Sequence, residues 1–169
     1  MKKSVKLFLC ALVFITCACE DKETRDPDFI INTNVPSGKL FSGFSFEKMN
    51  IITGPNSGNI FPDFMVGCFM NDVGDIGKPY LVNPNLEDRF ILLNSYDNAY
   101  SAQNYFDTLS TIKTIPYDIF GFDIKPFEIW QIKTSSAEVG LILIVESRAE
   151  KIGSSAFAEI KFKARRIMH

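Results

Sequence analysis

Apolar positions recur at period two over much of this chain, the spacing of strands that bury one face. In residues 39–48 it puts Leu40, Phe44 and Phe46 on one face. Residues 54–59, Gly-Pro-Asn-Ser-Gly-Asn, form a turn cluster. Residues 63–70 are almost continuously apolar, as in a central strand covered on both faces. Residues 71–79 read as a loop containing Gly and Asp, and 82–85 (Val-Asn-Pro-Asn) as extended or turned chain. Residues 89–94 make another strand.

One stretch changes period. Ala102, Tyr105, Phe106, Leu109 and Ile112 recur at helical spacing on a polar segment. Ser101 is placed to cap the helix, and Pro116 bars its continuation. The helix is expected over about 101–113.

Strands resume after it. In residues 127–133, Phe127, Ile129 and Gln131 take one face and Trp130 and Ile132 the other. Residues 139–145 are apolar and β-branched, and the short 134–137 link between the two suits a hairpin. Residues 158–165 alternate apolar and charged, one face to pack and one to meet water. The fold class expected is mainly β: an antiparallel two-sheet sandwich with one inserted helix.

The N-terminus has a different character. Lys2, Lys3 and Lys6 precede an apolar run over residues 7–15 that is too short to span a bilayer of about 30 Å. Ala18 and Cys19 then fit the cut site of a lipoprotein signal, with Thr16 three places before the cysteine. The alternative cut at Cys17 would put Thr16 in the last position. Residues 20–28 are charged and nearly free of apolar side chains, the composition of a tether. The organisation expected is a signal peptide over 1–18, lipid on Cys19, a flexible tether over 19–37 and one β-rich domain over 38–169.

Charge and cysteines then narrow the function. The chain carries 18 basic and 20 acidic residues, and the signal removes three lysines and no acid, leaving a net −5. Such a chain is poorly suited to nucleic acid, whose binding rests on released counterions. Of four cysteines, Cys10 and Cys17 leave with the signal and Cys19 carries lipid. Cys68 remains, in an apolar run that suits a small buried hydrophobe. The core therefore rests on packing, for which 16 phenylalanines supply ring area.

The single histidine, His169, is the last residue. This removes imidazole-based nucleophilic catalysis and histidine zinc sites. The sequence holds no P-loop, Gly-x-Ser-x-Gly or Gly-x-Gly-x-x-Gly. Glu47, Asp63, Asp118, Asp123 and Glu128 are candidates for a carboxylate pair, but they read more simply as turn and surface acids. Asn71-Asp72-Val73-Gly74-Asp75 has oxygens suited to calcium without the spacing of a full loop, and reads as a turn. No catalytic residue, metal or cofactor is expected.

Aromatics beside amides are the remaining signal. Tyr96 and Tyr100 fall in a polar loop over 94–101, Tyr80 follows Pro79, and Trp130 is the single tryptophan. Rings that stack on a sugar's apolar face, with Asn and Asp at hand for its hydroxyls, are how proteins hold glycans. Tyr96, Tyr100 and Trp130 are the candidate ligand contacts, and the competing reading of Trp130 is a core side chain.

The Cys19-Glu20-Asp21 start resembles the acidic export signal of surface lipoproteins of the Bacteroidota. The closing segment Glu128-Ile129-Trp130-Gln131-Ile132-Lys133-Thr134 with its hairpin is similar to HmuY-like haem-binding lipoproteins. The first resemblance implies a cell-surface protein anchored to the outer membrane beside nutrient-uptake systems. The second implies haem held between histidine or methionine pairs; this chain offers Met49, Met65 and Met70 but no histidine pair. The expected function is a non-enzymatic ligand-binding accessory, for a glycan first. Haem capture is an alternative. So is a structural or adhesive partner of an envelope protein, which predicts an exposed apolar patch or an open sheet edge.

Overall fold

The computed structural model describes residues 28–167. Its strands are β1 (Asp28–Asn32), β2 (Phe41–Ser45), β3 (Asn50–Gly54), β4 (Met65–Met70), β5 (Ile76–Val82), β6 (Phe90–Ser95), β7 (Phe120–Gly121), β8 (Glu128–Lys133), β9 (Val139–Ile152) and β10 (Ser155–Ile167). The helix α1 (Ala99–Thr108) follows β6. All strand pairs are antiparallel. They build one five-stranded sheet, β1-β10-β9-β8-β6, a two-stranded sheet β2-β3 and a three-stranded sheet β4-β5-β7. The chain is a mainly β protein with the layout of a sandwich and one inserted helix.

Period two explains the layers. Trp130, Ile132, Ile142, Ile144, Ile160 and Phe162 point from the large sheet onto Phe44, Phe46, Phe64, Val66 and Leu81 of the small-sheet side. Phe44 lies at the centre, edge-on to Phe46 at 5.1 Å and to Phe162 at 5.2 Å, an arrangement ring quadrupoles favour. The opposite face of the large sheet offers Ile91, Leu93, Ile129, Leu141 and Leu143, and α1 covers them with Ala102 and Phe106.

Several close approaches depend on glycine. A Cβ on Gly140 would come within 2.2 Å of the Phe46 ring, and one on Gly54 or Gly67 would strike the rings of Phe41 or Tyr80. In the last two cases ring and glycine are cross-strand partners. The aromatic side chain leans over the space its partner leaves empty.

Several boundaries differ from the sequence expectation. The helix spans Ala99–Thr108 rather than 101–113, and its cap is Asn98, whose Oδ1 accepts the Ser101 amide at 2.9 Å. Beyond it, Gln131 fixes the chain: its side chain accepts the Lys113 amide and donates to the Lys113 carbonyl and the Tyr117 hydroxyl. Residues 28–32, inside the expected 19–37 tether, form β1, with Ile31 buried and paired to Ile160. Residues 76–79, expected as loop, belong to β5; the missing Pro79 amide is tolerated where β7 pairs β5 only at Leu81 and Val82. Leu40 is 83% exposed, because β2 begins after it. Residues 65–70 are not a strand covered on both faces: β4 is an edge of its sheet, and Phe69 and Met70 are exposed. The charged face of residues 158–165 is not all solvent-facing either. Lys163 donates to Gln103 Oε1 at 2.6 Å, and Arg165 donates to the Leu109 carbonyl at the end of α1 with its guanidinium over the Phe106 ring. A cation at a helix C-terminus answers the dipole there.

Candidate functional site

The buried carboxylates hold the fold. Asp63 Oδ2 accepts the Phe46 amide at 2.7 Å, and Oδ1 accepts the amide and hydroxyl of Ser135 at 2.8 and 2.7 Å. One side chain thus ties the chain after β2 to the β8–β9 turn. Glu128 Oε2 accepts the Lys125 amide at 3.1 Å and the Trp130 indole N–H at 3.0 Å. Burial pushes its pKa above the ordinary carboxylate value. Glu47, Asp118 and Asp123 are exposed. The Asn71–Asp75 segment is the β4–β5 hairpin turn, closed by Asn71 Oδ1 accepting the Asp75 amide at 2.8 Å. Among the described residues no three His, Cys, Asp or Glu side chains gather as a metal group.

The three aromatic candidates do not share a surface. Trp130 is 5% exposed and packs in the sandwich core, where Gly121 leaves room for its ring. Tyr96 and Tyr100 lie on the helix side of the large sheet. Tyr96 is half-buried at the end of β6, its ring 5.6 Å from that of Tyr105, and its hydroxyl accepts the Asn94 amide at 2.8 Å. Tyr100 belongs to the first turn of α1, not to a loop, and is 82% exposed. Tyr105, which sequence reasoning used only as a helix-face residue, completes the pair. The result is a Tyr96–Tyr105 pair with Asn94 bonded to it, while Tyr100, five positions before Tyr105, lies on a different side of the helix. Cys19 lies outside the described residues.

A second aromatic surface covers the outer face of β4-β5-β7. Tyr80 lies over Gly67 and stacks on Phe69 at 4.5 Å. Phe120 stands edge-on to Tyr80 at 5.8 Å, and Phe122 stacks on Phe120 at 5.0 Å. Phe69 and Phe122 are 56% and 54% exposed. Desolvation raises the Tyr80 hydroxyl above its ordinary pKa. Cys68 points the other way and packs half-buried against the core, which raises its thiol pKa as well. Elsewhere, a shallow hollow of about 280 Å³ is lined by Ile30, Glu146, Arg148, Glu159 and Lys161. Its charges already pair with one another, Arg148 with Glu159 and Lys161 with Glu146.

No protein-family model, curated protein or solved structure matches this chain.

Proposed function

We propose that the protein is an outer-membrane surface lipoprotein, anchored through lipid on Cys19, that binds a glycan without transforming it. The Tyr96–Tyr105 pair with its amide is the observation that carries this reading. Tyr96 and Tyr105 present half-buried ring surface at the end of β6, Asn94 supplies an amide bonded to Tyr96, and Tyr100 is exposed in the first turn of the same helix as Tyr105. Rings for a sugar's C–H face and an amide for its hydroxyls are the two parts such recognition needs. The non-enzymatic reading is supported by Asp63, both of whose oxygens accept from structural donors, and by Glu128, whose Oε2 accepts from two.

A glycan array probed with residues 20–169 at high protein concentration tests it. The expected result is reproducible binding to one polysaccharide class, lost in Tyr96→Ala and Tyr100→Ala. A blank array overturns the glycan reading. The alternative of an envelope component is favoured by a different observation, the apolar face of β4-β5-β7.

A further inference from the structure

We infer that the aromatic face of β4-β5-β7 docks on the lipid surface to which the chain is tethered. The inference rests on the proposed anchor and deepens the envelope reading by naming the partner. Monomeric proteins rarely leave contiguous aromatic surface bare, and this face presents Phe69, Tyr80, Phe120 and Phe122 in mutual contact. Val73, 81% exposed at the tip of the β4–β5 hairpin, adds apolar surface at one end.

The length and end-point of the chain ahead of the fold select the occupant. Nine peptide steps separate Cys19 from Asp28, a reach of about 30 Å when extended. Asp28 opens β1, and β1 packs against β4 across the sandwich. Facing sheets lie about 10 Å apart, so the outer face of β4-β5-β7 stands within tether reach of the anchoring bilayer. A surface held that close needs little intrinsic affinity to stay engaged.

The chemistry of the face fits the boundary between headgroups and acyl chains. It offers rings and one phenolic hydroxyl, the composition that settles at membrane interfaces. A sugar would need amides among the rings, and none of the four is hydrogen-bonded to one. The rim is close to neutral: Lys78 stands 3.9 Å from Asp123, and Lys151 lies against the turn that carries Asp72 and Asp75. Docking is therefore driven by apolar burial rather than by anionic lipid.

Co-sedimentation of lipid-free residues 20–169 with phosphatidylcholine vesicles tests the face. This chain contains every described strand. Binding is expected to phosphatidylcholine alone, changed little by added phosphatidylglycerol or by salt. Phe69→Ser and Phe122→Ser should each weaken it about tenfold, the equivalent of burying part of a ring. Both rings are more than half exposed, so urea midpoints should hold, which separates lost docking from lost folding. Three results overturn the proposal: no sedimentation at millimolar lipid, binding only to anionic vesicles that salt abolishes, or a protein dimer that Phe69→Ser dissolves. The lipid-free chain reads the face alone; the mass of residue 19 in exported protein reads the anchor alone.

Discussion

Asp63 shows how one side chain can hold two parts of a sandwich together. Its carboxylate accepts two backbone amides and a hydroxyl from segments far apart in sequence. Asp63→Ala leaves the buried Phe46 amide without an acceptor, at a cost of about 1–3 kcal/mol, and releases the exposed Ser135 to water. The variant should lose roughly 2 kcal/mol, read as a lower urea midpoint at unchanged slope. Glu128 predicts a pH effect of the opposite kind to an ordinary ion-paired acid. Burial raises its folded pKa above the usual 4.5. Between those two values the folded state keeps a proton that the unfolded state has released. Its contribution is therefore fully present below about 4.5 and lost as pH rises through the folded pKa. Glu128→Gln should remove that loss, so its stability relative to the parent rises with pH in a urea series from acid to neutral. Neither role was legible beforehand. Both residues stood among the candidate acids of the sequence, and only the donors around them, drawn from distant segments, separate a structural carboxylate from a chemical one.

At the scale of elements, pattern reading worked where one rule acted alone. The alternation in β8 and β10 and the helical spacing of Ala102, Tyr105 and Phe106 each correspond to an element with the expected inward face. It failed where two signals competed. Asn98 and Ser101 are both good caps three residues apart, and the extended backbone at Asn98, φ −151° and ψ 156°, decides between them. Gly77-Lys78-Pro79 looks like loop, yet pairing to β4 extends it. β1 was hidden by the charged stretch before it. Its worth can be measured: a chain starting at residue 38, the boundary the sequence suggested, lacks Phe29 and Ile31 and bares the β10 edge. It should be less stable by at least about 3 kcal/mol, or aggregate, whereas a chain starting at residue 28 should unfold like the parent.

The whole molecule has three layers, with α1 on one side of the large sheet and the small sheets on the other, so its two aromatic surfaces look away from each other. The sequence singled out Tyr96 and Tyr100 because they sit among polar residues. It missed the Phe69–Phe122 face because that surface is assembled from three separate segments. Phe69 lay in a run read as covered on both faces, Tyr80 stood alone, and Phe120 and Phe122 fell in a stretch with no readable pattern. Two surfaces on opposite sides allow two engagements at once. If α1 looks outward while β4-β5-β7 rests on lipid, Tyr96→Ala should abolish glycan capture and leave vesicle binding intact, and Phe122→Ser should do the reverse. Measuring both bindings on both variants separates the two surfaces.

The position of β1 also has a mechanical meaning. If the proposed lipid anchor holds the chain ahead of Asp28, β1 is the strand through which any pull on the domain enters. Its five residues pair with Lys163 to Glu159, and Lys161 Nζ grips Asp28 at 3.1 Å and Glu146 at 3.6 Å, fastening the entry rung to two neighbouring strands. Tension directed along β1 loads every rung in shear together, while tension directed across it peels them singly. The domain should therefore withstand drag along the strand far better than across it, and the direction of pull from the proposed anchor would set how much force the fold survives.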